Sequence, residues 1–63
     1  MRQVVVFRDF NGKIYMTSHE NYNSMMLNKN FCNEMTGFDN LDECAEYLID
    51  NFGYVVLKID DLR

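Results

Sequence analysis

The chain has 63 residues, 48% of them hydrophobic, with no proline, three glycines and two cysteines. Six Lys and Arg residues stand against ten Asp and Glu residues, which gives a formal net charge of −4 at pH 7. The length excludes a second hydrophobic core and the apolar content excludes a disordered chain, so we expect one compact domain over residues 1–63.

The charge is divided unevenly along the chain. Residues 1–31 carry a net charge of +2, whereas residues 32–63 carry a net charge of −6. Nucleic acids and anionic membranes attract basic surfaces, so the acidic balance argues against direct binding to either. We expect a basic protein as the partner.

The cysteines and the N-terminal residues predict the cellular compartment of the protein. The apolar run at residues 4–7 is too short for the hydrophobic region of a signal peptide. No stretch of the chain approaches the length of a transmembrane helix. We therefore expect a cytoplasmic protein, with Cys32 and Cys44 kept as reduced thiols.

The first two predicted elements form a hairpin. Residues 2–9 (RQVVVFRD) are β-branched and aromatic, which is typical of a strand. The Asn11-Gly12 pair predicts a two-residue turn, followed by a second strand over residues 13–18. That turn would place Arg8 opposite Tyr15 and Phe7 opposite Met16.

The segment 19–38 gives a weak pattern. It contains five asparagines, whose side chains compete for backbone hydrogen bonds and weaken a helix. We expect one short helix near residues 20–28 and an irregular segment after it.

The main helix is predicted over residues 40–52 (NLDECAEYLIDNF). Asn40 is a favourable N-cap, and Gly53 suits the position that ends a helix. One apolar stripe follows the helical period, formed by Leu41, Cys44, Ala45, Leu48, Ile49 and Phe52. Residues 54–60 (YVVLKID) predict a third strand.

These elements predict an α+β fold in the order β-β-(short α)-α-β. A small three-stranded sheet, made of the β-hairpin and the C-terminal strand, would carry the main amphipathic helix on one face. The predicted register leaves the opposite face apolar. Such a face favours a homodimer, with self-association residues Val4, Val6, Phe10, Tyr15, Tyr54 and Val56. The alternative is that residues 22–35 cover this face.

No pattern in the chain indicates catalysis or a cofactor. His19 is the only histidine, and no serine, cysteine or second histidine stands at a spacing typical of a triad. Cys32, Cys44 and His19 lack the paired spacing of zinc ligands, and the glycines are too far apart for a phosphate-binding loop. We expect a protein that is not an enzyme and binds no metal or cofactor.

An acidic row follows the solvent side of the main helix. At about 100° per residue, four carboxylates share one arc and span about 12 Å of helix axis, with Tyr47 beside them. Their spacing of about 4 Å is close to the roughly 3.4 Å between charges on a single DNA strand. Asp60 and Asp61 would extend the row if they fold nearby. The predicted partner-binding residues are Asp42, Glu43, Glu46, Tyr47 and Asp50.

The helix dipole explains the positions of two of these acids but not those of the other two. Asp42 and Glu43 lie in the first helical turn, where the helix dipole favours negative charge. Glu46 and Asp50 form like-charge pairs at a spacing of four, and Asp50 lies in the last turn, where the dipole disfavours it. A solvated face that serves solubility alone is the alternative interpretation.

The sequence therefore favours a small acidic interaction protein. In size, acidity and lack of catalytic groups it resembles the inhibitors that phages make against host nucleases, CRISPR effectors and DNA-repair enzymes. Such a protein would occupy the basic nucleic-acid-binding surface of its partner, as a DNA mimic. The alternative is a homodimeric structural or regulatory module that associates through the apolar sheet face.

Overall fold

The computed structural model describes residues 1–24 and 28–63. Within these residues the strands are β1 (Gln3–Arg8), β2 (Ile14–Ser18), β3 (Asn33–Glu34) and β4 (Val55–Asp61). The helices are α1 (His19–Asn23) and α2 (Leu41–Phe52), with a 3₁₀ turn at Lys29–Phe31. No helix in this part of the chain is long and apolar enough to cross a membrane.

The sheet has the strand order β3-β2-β1-β4. Strand β1 pairs antiparallel with β2 and parallel with β4, and β2 pairs antiparallel with β3. The α+β class and the single main helix are confirmed, but the sheet has four strands and the predicted three is wrong. Strand β3 has only two residues, both polar and exposed, so it carries no hydrophobic pattern that would have predicted it.

The predicted hairpin register is wrong by one residue. Arg8 lies opposite Ile14 and Phe7 lies opposite Tyr15, because the loop has three residues. The Asp9 amide donates to the Lys13 carbonyl at 2.9 Å and closes the loop, and Gly12 adopts a φ of 86°. This is the geometry of a three-residue hairpin loop with glycine in the left-handed region.

The side chain of Asp9 explains the longer loop. Its Oδ1 accepts hydrogen bonds from the Asn11 amide at 3.0 Å and from the Lys13 amide at 2.9 Å. An aspartate that binds backbone amides in this way stabilises a turn that begins at its own position. The turn therefore begins at Asp9, and Asn11-Gly12 does not form the two-residue turn.

The register decides which residues helix α2 covers. One sheet face contributes Val4, Val6, Ile14 and Met16 to a core with Cys44, Ala45 and Leu48 of α2. Because side chains alternate between faces, the one-residue shift moves Val4 and Val6 to the side opposite the predicted one.

The residues predicted for self-association therefore do not share one exposed face. Val4 and Val6 are fully buried beneath α2, and Tyr54 and Val56 pack against the same core. Tyr15 lies on the other sheet face, paired with Phe7. Phe10 belongs to neither face, since it lies in the hairpin loop with 79% of its surface exposed.

The other sheet face is covered by the segment that follows β2. The Tyr22 ring lies 5.9 Å from the Phe7 ring, and the Thr17 hydroxyl donates to the Phe31 carbonyl at 3.0 Å. The alternative prediction, that residues 22–35 cover this face, holds only for Tyr22 and Phe31 among these contacts, because Asn33 and Glu34 extend the sheet as β3 and Met35 packs against the α2 core. Helix α1 is shorter than predicted, and residues 25–27 of the predicted helix lie outside the described residues.

Both predicted caps of α2 are confirmed. The Asn40 side chain accepts from the amides of Asp42 and Glu43 at 2.7 Å and 3.3 Å. Gly53 has a φ of 66°, and its amide donates to the Ile49 carbonyl at 3.0 Å. These contacts satisfy backbone groups that the helix ends leave without partners, so they fix where α2 begins and ends.

Replacing Gly12 by Ala should destabilise the protein by about 1 kcal/mol or more, because a side chain is strained at a φ of 86°. The free energy of unfolding in urea measures the effect. Gly12→Asn is the matched control and should lose less, because asparagine tolerates the left-handed region. An alanine variant as stable as the original chain would contradict this account of the turn.

Tyr22 should make stability depend on alkaline pH. Its hydroxyl donates to the Asp60 carboxylate, and this hydrogen bond, with burial, raises the pKa of Tyr22 to about 12. Because the folded pKa lies above the unfolded value of about 10, this contribution is complete below pH 10 and is lost as the pH rises through 12. Tyr22→Phe should lose about 1 kcal/mol at pH 7 and should not show the decline, as measured by urea unfolding.

Candidate functional site

Helix α2 presents its carboxylates to solvent. Cys44, Ala45 and Leu48 point into the core, so the residues on the opposite side of the helix lie at the surface. All the predicted partner-binding residues are exposed, namely Asp42, Glu43, Glu46, Tyr47 and Asp50. We call the four carboxylates Asp42, Glu43, Glu46 and Asp50 the acidic face.

Almost every basic side chain of the protein is engaged elsewhere. Within the described residues, five of the six Lys and Arg residues form ion pairs. The sixth, Arg2, places its guanidinium 5.5 Å from the centre of the Tyr54 ring. The pairs are Arg8–Asp61, Lys13–Glu34, Lys29–Asp9, Lys58–Asp60 and Arg63–Asp61, at 3.3 to 3.7 Å.

The acidic face has no basic partner among the described residues. Of the six acids outside these ion pairs, Glu20 alone lies away from residues 39–50. Asp60 and Asp61 do not extend the row as free charges, since each is paired with a base. The negative charge that gives the protein its net −4 is therefore concentrated on one side of α2.

The helix gains little stability from this arrangement. The first turn contains Asp42 and Glu43, which favour the helix dipole, but the last turn contains no basic residue. Glu46 is repelled by Asp42 and by Asp50, each four residues away. Helix stability alone therefore does not explain why the carboxylates of the acidic face occur together on α2.

Exposed apolar side chains border the acidic face on both sides. Ile49 is 47% exposed on one side. Tyr47 lies on the other, with its ring centre 5.3 Å from that of Phe38 and 5.8 Å from that of Phe52. Phe52 in turn stacks on Tyr54 at 5.3 Å. We call Phe38, Tyr47, Phe52 and Tyr54 the aromatic row.

Sequence reasoning missed most of the aromatic row. Ile49 and Phe52 keep the helical spacing of the apolar stripe, yet they are 47% and 54% exposed. Phe52 is the last residue of α2, and its ring stacks on that of Tyr54. The feature of the sequence that could have predicted the aromatic row is the high proportion of aromatic residues between positions 38 and 54.

The ionisable groups outside the acidic face form no recognisable reactive arrangement within the described residues. His19 begins α1, and its Nε2 lies 2.8 Å from the Asn23 side-chain nitrogen. Burial raises the pKa of the Cys44 thiol, which keeps it in the unreactive protonated form. Residues 1–24 and 28–63 contain no group of three or more side chains that could hold a metal ion.

Comparison with known family models, curated proteins and solved structures finds no match to this chain. The charge, exposure and contacts of its own residues are therefore the basis for any assignment of function.

Replacing Asp50 by Lys should stabilise the protein by about 1 kcal/mol, since it turns a repulsive pair with Glu46 into an attractive one and suits the helix dipole. Thermal unfolding should show a rise in Tm of about 4–8 °C. The control is Asp42→Lys, which changes the pair with Glu46 in the same way but places the positive charge in the first turn, where the dipole disfavours it, so it should raise Tm less than Asp50→Lys does. Equal effects at both positions would contradict the assigned role of the dipole.

Proposed function

We propose that this protein is a non-enzymatic interaction protein whose acidic face binds a basic surface on another protein. The observation that carries the proposal is the separation of charge: the bases are held in ion pairs or over a ring, while four exposed carboxylates of α2 have no basic partner in the described residues. Such a surface attracts a basic partner over a range of about 8 Å at physiological salt.

The spacing of the charges supports a more specific partner. The carboxylates of the acidic face are spaced on average about 4 Å along the axis of α2, which approximates the charge density of a nucleic-acid strand. Lys and Arg side chains that bind phosphates also bind carboxylates. We therefore propose that the partner is a nucleic-acid-binding enzyme and that the protein inhibits it by competing for its basic groove, as phage inhibitors of this type do.

The apolar borders give the complex its buried centre. Charged pairs at a surface add little affinity, whereas aromatic side chains removed from water often contribute most of it. Tyr47 is 41% exposed and lies beside the carboxylates on α2, and its ring contacts that of Phe52, which is 54% exposed. In this proposal the acidic face steers the partner and the aromatic row holds it.

The test is a variant with Glu46→Gln and Asp50→Asn, which keeps the size of both side chains and removes two charges. A lysate pull-down eluted by a salt gradient identifies the partner, and titration calorimetry with that partner measures affinity. Because each lost charge pair is worth up to about 0.7 kcal/mol, the double variant should bind more weakly by up to about tenfold.

The matched control is Glu20→Gln with Glu34→Gln, which changes the net charge equally at two exposed positions outside α2. Its affinity should stay close to that of the original chain. Unchanged affinity of the α2 variant at low salt would contradict the proposal. Competition by duplex DNA then tests where on the partner the protein binds. If DNA does not displace the protein from its partner, nucleic-acid mimicry is contradicted, and only the proposal that the acidic face binds a basic surface remains.

A further inference from the structure

A small apolar cavity lies on the side of the sheet opposite α2. Its volume is about 210 Å³, and its lining includes Phe7 and Tyr15, whose rings stack with their centres 5.6 Å apart. Both residues lie on the sheet face that points away from the α2 core. The remaining lining residues are Asp9, Phe10, Lys29, Cys32 and Leu62.

The size of the cavity suits one aromatic side chain. Sites for drug-sized ligands measure about 300–1,000 Å³, which exceeds the volume found here. A dry apolar cavity of about 150 Å³ is sufficient to bind benzene. A cavity of 210 Å³ therefore has room for a phenyl ring with its methylene group.

Such a ring is presented at the rim of the same cavity. Phe10 lies in the hairpin loop and is 79% exposed, so its ring does not fill the cavity beside it. The loop that carries Phe10 is held by the two hydrogen bonds to Asp9 Oδ1 and by the Asp9–Lys13 backbone bond. The ring is thus displayed on a rigid support, which lowers the entropy lost on binding.

We propose that two copies of this protein associate by each inserting Phe10 into the cavity of the other. Because Phe10 lies at the rim of its own cavity, a two-fold axis near that rim brings both rings into both cavities at once, and the interface is self-complementary. The occupant is a second copy of this chain, and the proposal does not depend on the function of the acidic face.

The charges around the cavity permit this approach. Lys29 pairs with Asp9 at the cavity wall, and Arg63, which pairs with Asp61, lies next to Gly12 in the loop. The acidic face lies across the sheet, on α2. Two copies with a net charge of −4 each therefore meet through surfaces on which acids and bases are balanced.

The contact area predicts a weak dimer. An aromatic side chain buries about 150–250 Å², so two rings account for a few hundred Å². Stable interfaces bury at least about 1,200 Å². We therefore expect a dimer that forms at high micromolar concentration and dissociates on dilution.

Sedimentation velocity from about 10 μM to 1 mM, with a reducing agent to exclude disulfides through Cys32, tests the proposal. Phe10→Ser should weaken dimerisation at least tenfold and leave the circular dichroism spectrum unchanged. Phe52→Ser is the matched control, since it removes another exposed phenylalanine on the other side of the sheet. Equal dimerisation by the original chain and Phe10→Ser would overturn the proposal.

A second measurement identifies the contact directly. In a mixture of isotopically labelled and unlabelled protein at about 1 mM, isotope-filtered NMR should show contacts between the Phe10 ring of one copy and the Tyr15 ring of the other. A protein that stays monomeric at this concentration overturns the proposal. Binding of added indole at the cavity of a chain that stays monomeric would show that the cavity accepts an aromatic ring but not Phe10 of a second copy, which also overturns the proposal.

Discussion

The hydrogen bonds of the Asp9 carboxylate determine which side of the sheet each residue faces. By accepting from the amides of Asn11 and Lys13, the carboxylate starts the turn one residue earlier than the Asn-Gly pair would. The resulting register directs Val4 and Val6 toward α2 and Val5 and Phe7 toward the segment after β2. Burial raises the pKa of Asp9, but the two amides and the Lys29 ammonium outweigh it, so the carboxyl pKa lies below its usual value.

The use of both sheet faces explains how so short a chain forms a core. A domain of about 60 residues buries only about 60% of the surface that its unfolded chain exposes. Here α2 covers one face, while α1 and the described residues around Phe31 contact the other, and Val4, Val5 and Val6 are all fully buried. The apolar residues of α2 lie mainly on the side that packs against the sheet, so the outer side of the helix carries the charged residues.

The sequence predicted the elements whose signals are local. Helix α2 has its period, its Asn40 cap and its terminal Gly53 within 14 residues, and the acidic face follows from the same period. The hairpin register depended on a side-chain hydrogen bond that competes with the turn preference of Asn-Gly. The formation of strand β3 and the exposure of Phe52 depend on tertiary contacts, which no local sequence pattern predicts.

The parallel pairing of β1 with β4 also bears on the order of folding. It joins Gln3 to Val55, whereas the hairpin joins Arg8 to Ile14. Contacts between distant residues require the closure of a long loop and form slowly. During synthesis the hairpin can form while one edge of β1 still lacks its neighbour, and that edge offers unpaired backbone groups to other chains. The sheet can therefore be completed only after β4 has left the ribosome. Pairing with β4 then protects the open edge of β1 from other chains.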